Sequence, residues 1–342
     1  MSAAAILNDN IPTTHQEFKE TNKRGKLWYS RLEGEDARKL DQMFKRENCL
    51  IEVNPGKVLL PPIYEEFGDT IRNMDVRSDD IWLVSYPRTG STWAQEMVWC
   101  IGNDLDFEKA KILQPLRTPL LELTVLMAHD EGEWKTGLGN SVEIVQQLPS
   151  PRFIKSHLTL DLLPAAIDTV KPKIVYVARN PKDMCVSYYH YCMLVHNMSG
   201  TFEDFCELFL KDKVPIGPIW RHILGFWRRR HESNILFLKY EEMKRDQKGA
   251  IRKTADFLGK TMTDAQVDEL AEHLSFQSMR KNPAVNLEGL MALKNGPEQK
   301  PDLKFIRKGE VGDWKNHMSP EMAARFDAWT EENLRGTGLS FD

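Results

Sequence analysis

Short apolar runs alternate along the chain with amphipathic stretches of helical period. Four runs bounded by polar or turn residues predict buried parallel strands, at 81–86, 153–154, 174–178 and 235–238. Helical patterns at 92–100 and 181–195 follow the first and third runs, and Asn180 is placed to cap the later helix. Further helices are predicted after Thr263, where a capping box begins, and after Ser319. The pattern predicts an α/β fold in which a central parallel β-sheet is flanked by helices.

Length and the scatter of turn residues favour a single domain. At about 150 residues per domain, the 342 residues would make two ordinary domains or one large one. Neither an internal repeat nor a Pro/Gly-rich linker divides the chain. Residues 1–45 are polar and charge-rich, which predicts a loosely attached N-terminal extension ahead of a main domain over 46–342. We expect the packed core to begin nearer Pro61.

The composition gives the chain no overall positive charge that would attract nucleic acid or acidic lipid. Lysine and arginine number 46 against 50 acidic residues, a net charge of −4, so any anion site has to be built locally. A run of about 18 apolar residues, the length that spans a bilayer, does not occur. Five cysteines without a CxxC pair predict reduced core thiols. We therefore expect a cytoplasmic enzyme with neither nucleic acid nor membrane as a partner.

The loop after the first predicted strand carries the strongest chemical signal. Segment 87–93 leads directly into a helix and combines a glycine, several hydroxyls and one guanidinium. Backbone N–H groups at a helix start, together with such side chains, suit a bound anion. The GxxxxGK[ST] pattern of nucleotide triphosphate loops is missing, and an ordinary strand-to-helix turn with a Ser or Thr cap is the alternative interpretation. The candidate anion ligands are Arg88, Thr89, Gly90, Ser91, Thr92 and Trp93.

Five segments, in the same order along the chain, resemble the cytosolic sulfotransferase family. They are 86–93, 155–158, 177–183 with 187–190, 240–243, and 307–309 with 312–315. Arg88 stands where the family usually has Lys, and with segment 282–286 it resembles the insect-type branch related to retinol dehydratase. The resemblance implies a single sulfotransferase domain with a P-loop-like phosphosulfate loop. It also implies transfer of a sulfuryl group from 3′-phosphoadenosine 5′-phosphosulfate (PAPS) to an acceptor, which leaves adenosine 3′,5′-bisphosphate (PAP).

The resemblance assigns residues to each part of this donor. Arg88, Ser91 and Thr92 suit the 5′ end. The 3′-phosphate is assigned to Arg179, Ser187, Arg307, Lys308 and Gly309. Arginine suits these positions because it grips phosphate through two parallel charge-assisted bonds. The adenine pocket is assigned to Trp93, Tyr240 and Phe276, although core packing would be the better explanation of each aromatic side chain without the matched motifs. Ser275 is a further candidate ligand of the donor.

The resemblance also implies the catalytic groups. His157 occupies the position of the general base, and a neutral imidazole can take the acceptor's proton as its oxygen attacks sulfur. Lys155 and Arg88 are expected to neutralise the charge that grows on the departing bisphosphate. An arginine keeps its charge and does not give up a proton, so Arg88 is interpreted as an electrostatic clamp. Ser187 is expected to restrain premature cleavage.

The acceptor pocket is expected to be mostly aliphatic. Its candidate residues are Leu120, Leu123, Tyr191, Val195 and His196. Apolar walls with a few polar groups favour a small lipophilic alcohol, phenol, sterol or retinoid, or an amine. A loop from about 289 to 305, containing Gly296 and Pro297, is either a lid over the site or an idle surface loop.

Three alternatives to simple sulfuryl transfer stay open from the sequence. A phosphoryl-transfer enzyme would need Mg²⁺ and an acidic residue at a strand end, where Arg179 stands here. A weakly catalytic or non-catalytic binder of PAPS and lipophilic ligands is the second, and dehydration of an alcohol through a transient sulfate ester is the third. No metal motif is present, so we expect no metal. The dimer motif of the family is incomplete, which leaves a monomer and a homodimer equally open.

Overall fold

The computed structural model describes residues 25–127, 139–295 and 303–341. The strands in these ranges are β1 (Trp28–Arg31), β2 (Ile51–Asn54), β3 (Val58–Leu60), β4 (Ile81–Ser85), β5 (Phe153–Ser156), β6 (Lys173–Ala178) and β7 (Ile235–Lys239). A parallel sheet runs in the order β5-β4-β6-β7, and a small antiparallel sheet runs β1-β2-β3. The predicted α/β fold with a central parallel sheet is confirmed.

Helices connect the strands and cover both faces of the parallel sheet. In chain order they are α1 (Glu35–Phe44), α2 (Tyr64–Arg72), α3 (Ser91–Gly102), α4 (Gln114–Arg117), α5 (Leu123–Met127), α6 (Ser141–Gln147), α7 (Ile167–Val170), α8 (Pro181–Val195), α9 (Phe202–Leu210), α10 (Ile219–Arg228), α11 (Tyr240–Arg245), α12 (Gln247–Leu258), α13 (Asp264–His273), α14 (Phe276–Lys281), α15 (Pro283–Asn286), α16 (Glu288–Asn295) and α17 (Pro320–Leu334). Within the described ranges, no helix combines the length and apolarity that crossing a bilayer demands.

The predicted helix starts are confirmed by their capping contacts. The Asn180 side chain accepts from the backbone N–H of Lys182 at the start of α8. Thr263 forms the predicted capping box with Gln266 at α13, and Ser319 accepts from the N–H of Met322 at α17. Each cap satisfies a backbone donor that the first helical turn leaves open, which fixes where the helix begins.

The parallel sheet is buried on both faces. Trp82 and Val84 of β4 pack into one hydrophobic core and Leu83 into the other, as expected when successive side chains point to opposite faces. The continuous apolar runs read from the sequence follow from this double burial. All five cysteines are buried free thiols, in agreement with the expectation of reduced core residues.

A buried ion pair aligns two neighbouring strands. Asp80 precedes β4 and accepts from Arg152, which precedes β5, at 2.7 Å from Nε and 2.6 Å from Nη2. Both side chains are 0% exposed. The carbonyl of Arg152 also accepts from the N–H of Ile81 at 2.9 Å. These contacts hold the amino ends of β4 and β5 together. They therefore help to fix the register between the two strands, whose carboxyl ends lie at the candidate site.

The packed core begins earlier than the sequence suggested. Leu27, Leu40 and Met43 are buried members of the core, so the expected start nearer Pro61 is wrong. Residues 25–45 are not loosely attached, because β1 pairs with β2 and the carbonyl of Met43 accepts from the N–H of Ser199 at 2.8 Å. The packing of this segment was not predicted because it contains few apolar residues. Only one side of α1 faces the core. The rest of the predicted extension, residues 1–24, lies outside the described residues.

Candidate functional site

The loop between β4 and α3 has two residues with left-handed backbone conformation, and at the second of them only glycine fits. Arg88 has a φ of +70° and Gly90 a φ of +93°, so the chain makes two left-handed turns before α3 begins at Ser91. A Cβ on Gly90 would lie 2.5 Å from Cδ2 of Tyr240, which excludes every side chain there. The loop therefore packs directly against an aromatic ring, with the N-terminus of a twelve-residue helix behind it.

This loop forms one wall of a cavity in which most predicted donor ligands meet. The predicted residues that line it are Arg88, Gly90, Ser91, Thr92, Trp93, Arg179, Ser187, Tyr240, Ser275, Phe276, Arg307, Lys308 and Gly309. Thr89 is placed beneath it, buried, with its hydroxyl donating to the carbonyl of Tyr86 at 3.0 Å. Lys244 and Gln247 also line the cavity and were missed. Lys244 lies in α11 and Gln247 in α12, and no sequence motif marks either residue as a ligand.

Cations surround the end of the cavity near β6. The guanidinium of Arg179 lies 4.3 Å from the ring centre of Tyr240 and donates to the carbonyl of Glu310 at 2.9 Å. Among the described residues, the buried Nε atoms of Arg179 and Arg307 have no hydrogen-bond partner. Unsatisfied buried donors of this kind suit an anionic ligand, because leaving them unpaired costs free energy.

Asp313 organises two of the predicted phosphate ligands. It accepts from Arg307 at 2.6 Å and from Lys308 at 2.7 Å. Burial alone would raise the pKa of Asp313, but hydrogen bonds from Lys308, Asn316 and Arg307 hold that pKa well below its usual value. The carboxylate therefore stays ionised and fixes both cations at the cavity rim.

Aromatic side chains form another part of the cavity wall. The rings of Trp93 and Tyr240 meet edge to face, with centres 5.8 Å apart. Phe276 follows Ser275, the cap of α14, and packs against Gly309, where a Cβ would lie 2.4 Å from its Cδ2 atom. A flat heteroaromatic ring fits such a wall by stacking or by edge contacts.

Arg88 reaches from the loop toward two other segments. Its Nε donates to Oγ of Ser187 at 3.1 Å, and its Nη2 donates to the carbonyl of Phe305 at 2.9 Å. The guanidinium lies 5.2 Å from the ring centre of Tyr191 and 5.0 Å from that of Phe305. Burial, together with Arg179 and Arg307, lowers the pKa of Arg88 to about 10, which leaves the side chain charged at neutral pH. The site thus keeps a permanent positive charge next to Ser187.

His157 is held in a defined tautomer at the end of β5. Its Nδ1 lies 2.7 Å from the carbonyl oxygen of Ser85, and since a carbonyl only accepts, Nδ1 carries the proton. Burial, followed by the nearby charge of Lys155, lowers the pKa of His157 well below its usual value. The imidazole is therefore neutral at pH 7, with its lone pair on Nε2.

A buried carboxylate that the sequence did not single out lies beneath His157. Glu122 accepts from the backbone N–H of His157 at 2.5 Å and from the hydroxyl of Ser156 at 2.9 Å. Burial raises the pKa of Glu122 to about 7, while burial and Arg88 lower the pKa of Lys155 to about 8. A single acidic residue within an apolar run is the signal that could have identified Glu122.

The predicted acceptor residues are only partly brought together. Leu120 forms a parallel bridge with Lys155, and Leu123 begins α5 nearby. Tyr191 lies beside Arg88, and its ring centre is 5.7 Å from that of His196, the residue after the buried Val195. The large cavity is lined by none of these five residues; Tyr191 lines a smaller space next to it, with Arg88 and Phe305. Gly296 and Pro297 of the predicted lid lie outside the described residues.

One possible metal-ligand cluster occurs among the described residues. Atoms of Glu96, Cys100 and His273 that could ligate an ion all lie within 4.8 Å of one another. Arg117 donates to Glu96 at 2.8 Å, so this buried carboxylate already has a counter-charge. The cluster is explained by this ion pair and lies outside the residues that line the cavity.

Comparison with known proteins supplies relatives for most of the chain. A family profile described as a sulfotransferase domain matches residues 78–338. Luciferin sulfotransferase from Photinus pyralis is 42% identical over 288 residues, which cover 81% of this chain and 77% of the relative. Retinol dehydratase in complex with retinol and PAP has a TM-score of 0.86 at 30% identity, covering 93% of this chain and 99% of that one. Its complex with androsterone and PAP gives a TM-score of 0.85, also at 30% identity, covering 92% and 98%.

Proposed function

The chain belongs to the sulfotransferase family and is a PAPS-dependent enzyme, and we propose that it transfers the sulfuryl group to a small lipophilic alcohol, phenol or amine with His157 as the general base. The tautomer of His157 carries this proposal. A base has to offer a lone pair toward the substrate, and the bond from Nδ1 to the carbonyl of Ser85 leaves that lone pair on Nε2.

The donor is assigned to the large cavity on the basis of its chemistry. Two phosphate-bearing ends and an adenine need two groups of cations and an aromatic wall. The lining of the cavity combines the β4–α3 loop and Arg88 with Arg179, Ser187, Arg307 and Lys308, and with the aromatic rings of Trp93, Tyr240 and Phe276. The unpaired Nε atoms of Arg179 and Arg307, among the described residues, support anion binding there.

The transfer step uses the remaining charged groups. As the acceptor oxygen bonds to sulfur, its proton passes to Nε2 of His157. The bond between sulfur and the bridging phosphate oxygen breaks, and its electron pair leaves on PAP. Lys155 and Arg88 stabilise the negative charge on that oxygen, and one such donor typically contributes about 3 kcal/mol. Ser187, which Arg88 contacts at 3.1 Å, restrains Arg88 before the acceptor arrives.

The proposed class of acceptor is supported by the residues expected to line the acceptor pocket and by the names of the similar proteins. Leu120, Leu123 and Val195 supply aliphatic surface, and Tyr191 and His196 supply the polar groups. The relatives are named for luciferin or retinol, and one complex holds androsterone. These are small, mostly apolar molecules with a hydroxyl or a related group. A phenol, sterol or retinoid alcohol is therefore the proposed acceptor class.

A second candidate activity is loss of water from an alcohol through a transient sulfate ester. The observation in its favour is the likeness to retinol dehydratase, at a TM-score of 0.86 and 99% coverage of that chain. The first half of such a reaction is the same sulfuryl transfer. The two activities differ in whether a stable sulfate ester accumulates.

Transfer of ³⁵S from labelled PAPS to a panel of phenols, sterols and retinoids tests the proposal. Wild-type protein should form a labelled ester, and His157→Ala should lose about 10²- to 10⁴-fold in kcat while PAP affinity by calorimetry stays near wild type. His231→Ala, at an exposed histidine, is the matched control and should be unchanged. Tight PAP binding without transfer to any acceptor would favour a non-catalytic binder. Disappearance of retinol without a labelled ester would favour dehydration.

A further inference from the structure

We propose that Glu122 is a positioning residue, which holds the chain after β5 so that His157 and Lys155 keep the alignment that sulfuryl transfer requires. The inference rests on the proposed function, because Glu122 acts through those two residues. Glu122 is buried. It is assigned no direct contact with the donor or the acceptor.

The geometry of the carboxylate supports this role. Its Oε1 accepts from the N–H of His157 at 2.5 Å, and its Oε2 accepts from Oγ of Ser156 at 2.9 Å. The Ser156 hydroxyl accepts in turn from the N–H of Leu158 at 3.1 Å. One side chain thereby orders three consecutive residues at the point where β5 ends.

The carbonyl oxygen and the Nδ1 atom of His157 also form hydrogen bonds within the protein. Its carbonyl accepts from Nε2 of His222 at 2.9 Å, and Nδ1 of His222 accepts from the hydroxyl of Tyr176 at 2.8 Å. Its own Nδ1 donates to Ser85. With the N–H held by Glu122, the remaining polar atom is Nε2, the atom assigned to the acceptor. A small rotation of this backbone would move Nε2 directly.

The charge of Glu122 acts on Lys155. Segment 119–121 extends the sheet beside β5, because the N–H of Lys155 donates to the carbonyl of Pro119 and its carbonyl accepts from Leu121, both at 2.9 Å. Glu122 follows directly, and its negative charge favours the ammonium form of Lys155, against burial and the repulsion of Arg88. Tyr64 and Tyr191 are the other titratable groups on which its charge acts. Removing that charge should make Lys155 lose its proton at lower pH.

Glu122→Gln separates positioning from general stability. The amide keeps the size of the side chain and one acceptor oxygen, so the variant should fold, but it lacks the second acceptor and the charge. We expect kcat to fall at least about tenfold, a part of the 10²- to 10⁴-fold that a positioned base contributes. KM for the acceptor and PAP affinity should stay within about threefold, and the alkaline limb of the kcat profile should move to lower pH. Glu122→Asp, which restores the charge, should recover that limb.

Asp212→Asn is the matched control. Asp212 is a partly buried carboxylate that accepts from the N–H of Ile219 at 3.0 Å, and burial raises its pKa to about 6. Asp212→Asn removes a carboxylate charge in the same way as Glu122→Gln and should change neither kcat nor the pH profile. Equal losses of kcat in both variants, or a kcat loss in Glu122→Gln that follows its melting temperature, would overturn the proposal.

A measurement without turnover distinguishes this inference from the proposed function. Nitrogen NMR of ¹⁵N-histidine protein, assigned with His157→Ala, reports the tautomer of His157. Wild type should show the Nδ1–H form, and Glu122→Gln should show a mixture of tautomers or a broadened signal. An unchanged spectrum in the variant would contradict positioning, whether or not any acceptor is sulfated. Absence of transfer by wild type would contradict the proposed function alone.

Discussion

A methyl group has no room at residue 90. Both Gly90 and Gly338 have positive φ, but a Cβ on Gly90 would lie 2.5 Å from Tyr240, whereas a Cβ on Gly338 would meet nothing within 4 Å. We expect Gly90→Ala to weaken PAP binding by at least about tenfold, because the loop has to move away from the cavity, and tenfold corresponds to about 1.4 kcal/mol. Calorimetry measures the change. Gly338→Ala shares the backbone strain, and an equal loss of affinity in it would contradict the steric explanation.

The charge of Arg88 is expected to matter more than its shape. Arg88→Met should lose about 10²- to 10³-fold in kcat, as when one donor to a developing negative charge is removed. Arg88→Lys keeps the charge, although it gives up the simultaneous contacts with Ser187 and Phe305, and should keep most of the activity. Steady-state kinetics with saturating PAPS decides between them. An equal loss of kcat in both variants would contradict this prediction and show that the simultaneous contacts of Arg88 with Ser187 and Phe305 are essential.

Under the proposed function, the ionisation of Lys155 is expected to set an upper pH limit for catalysis. The lowered pKa of about 8 means that Lys155 is charged below pH 8 and loses its proton as the pH rises through that value. His157 has a pKa well below its usual value, so it stays neutral down to mildly acidic pH. We expect kcat to be constant near neutrality and to fall above about pH 8. A kcat that keeps rising through this range would contradict the assignment of Lys155.

Most of the cavity-lining residues that could be predicted lie inside recognisable motifs, whereas Glu122 lies outside every motif. Segments 86–93 and 155–158 gave the loop and His157 because their residue types combine unusual chemistry in a short stretch. Glu122 has neither a motif nor a neighbour in sequence with which it acts, and its partners Ser156 and His157 lie on another strand. Only the fold brings it there.

At the scale of elements, the ion pair between Asp80 and Arg152 is expected to determine how β4 and β5 start. Removing one partner leaves a charge with 0% exposure uncompensated, so Asp80→Ala should lower the free energy of unfolding by about 3 to 5 kcal/mol. The double variant Asp80→Leu, Arg152→Met removes both charges and should lose less. Urea denaturation measures both. A single variant as stable as wild type would contradict this account.

The strands and long helices were predictable because local and tertiary preferences agree. Runs such as 174–178 are apolar at every position since β6 is covered on both faces, and α8 begins where Asn180 can cap it. The N-terminal segment was predicted wrongly for the opposite reason. In α1 only Leu40 and Met43 are buried, so its sequence looks like that of a solvated helix. In the fold, both side chains join the same hydrophobic core as Ile51 and Val53 of β2.

At the scale of the whole molecule, a chain of net charge −4 places five of its 46 lysines and arginines around one cavity, namely Arg88, Arg179, Lys244, Arg307 and Lys308. Under the proposed function these side chains neutralise the anionic donor, and turnover is expected to be unchanged by EDTA. The measurement is the rate of transfer before and after chelation and gel filtration. A loss that Mg²⁺ restores would instead favour phosphoryl-transfer chemistry, and a loss that Zn²⁺ restores would direct attention to Glu96, Cys100 and His273.

The packing of residues 25–45 against the rest of the fold determines how far the chain can be shortened. The ring of Phe44 lies 6.1 Å from that of His196, and the carbonyl of Met43 accepts from the N–H of Ser199, so α1 supports the end of α8 next to residues proposed to bind the acceptor. Shortened versions made for crystallisation or immobilisation therefore have to retain the polypeptide from Leu27 onward. An affinity tag that replaces β1 would also remove Tyr29, whose hydroxyl packs closely against Gly68 of α2.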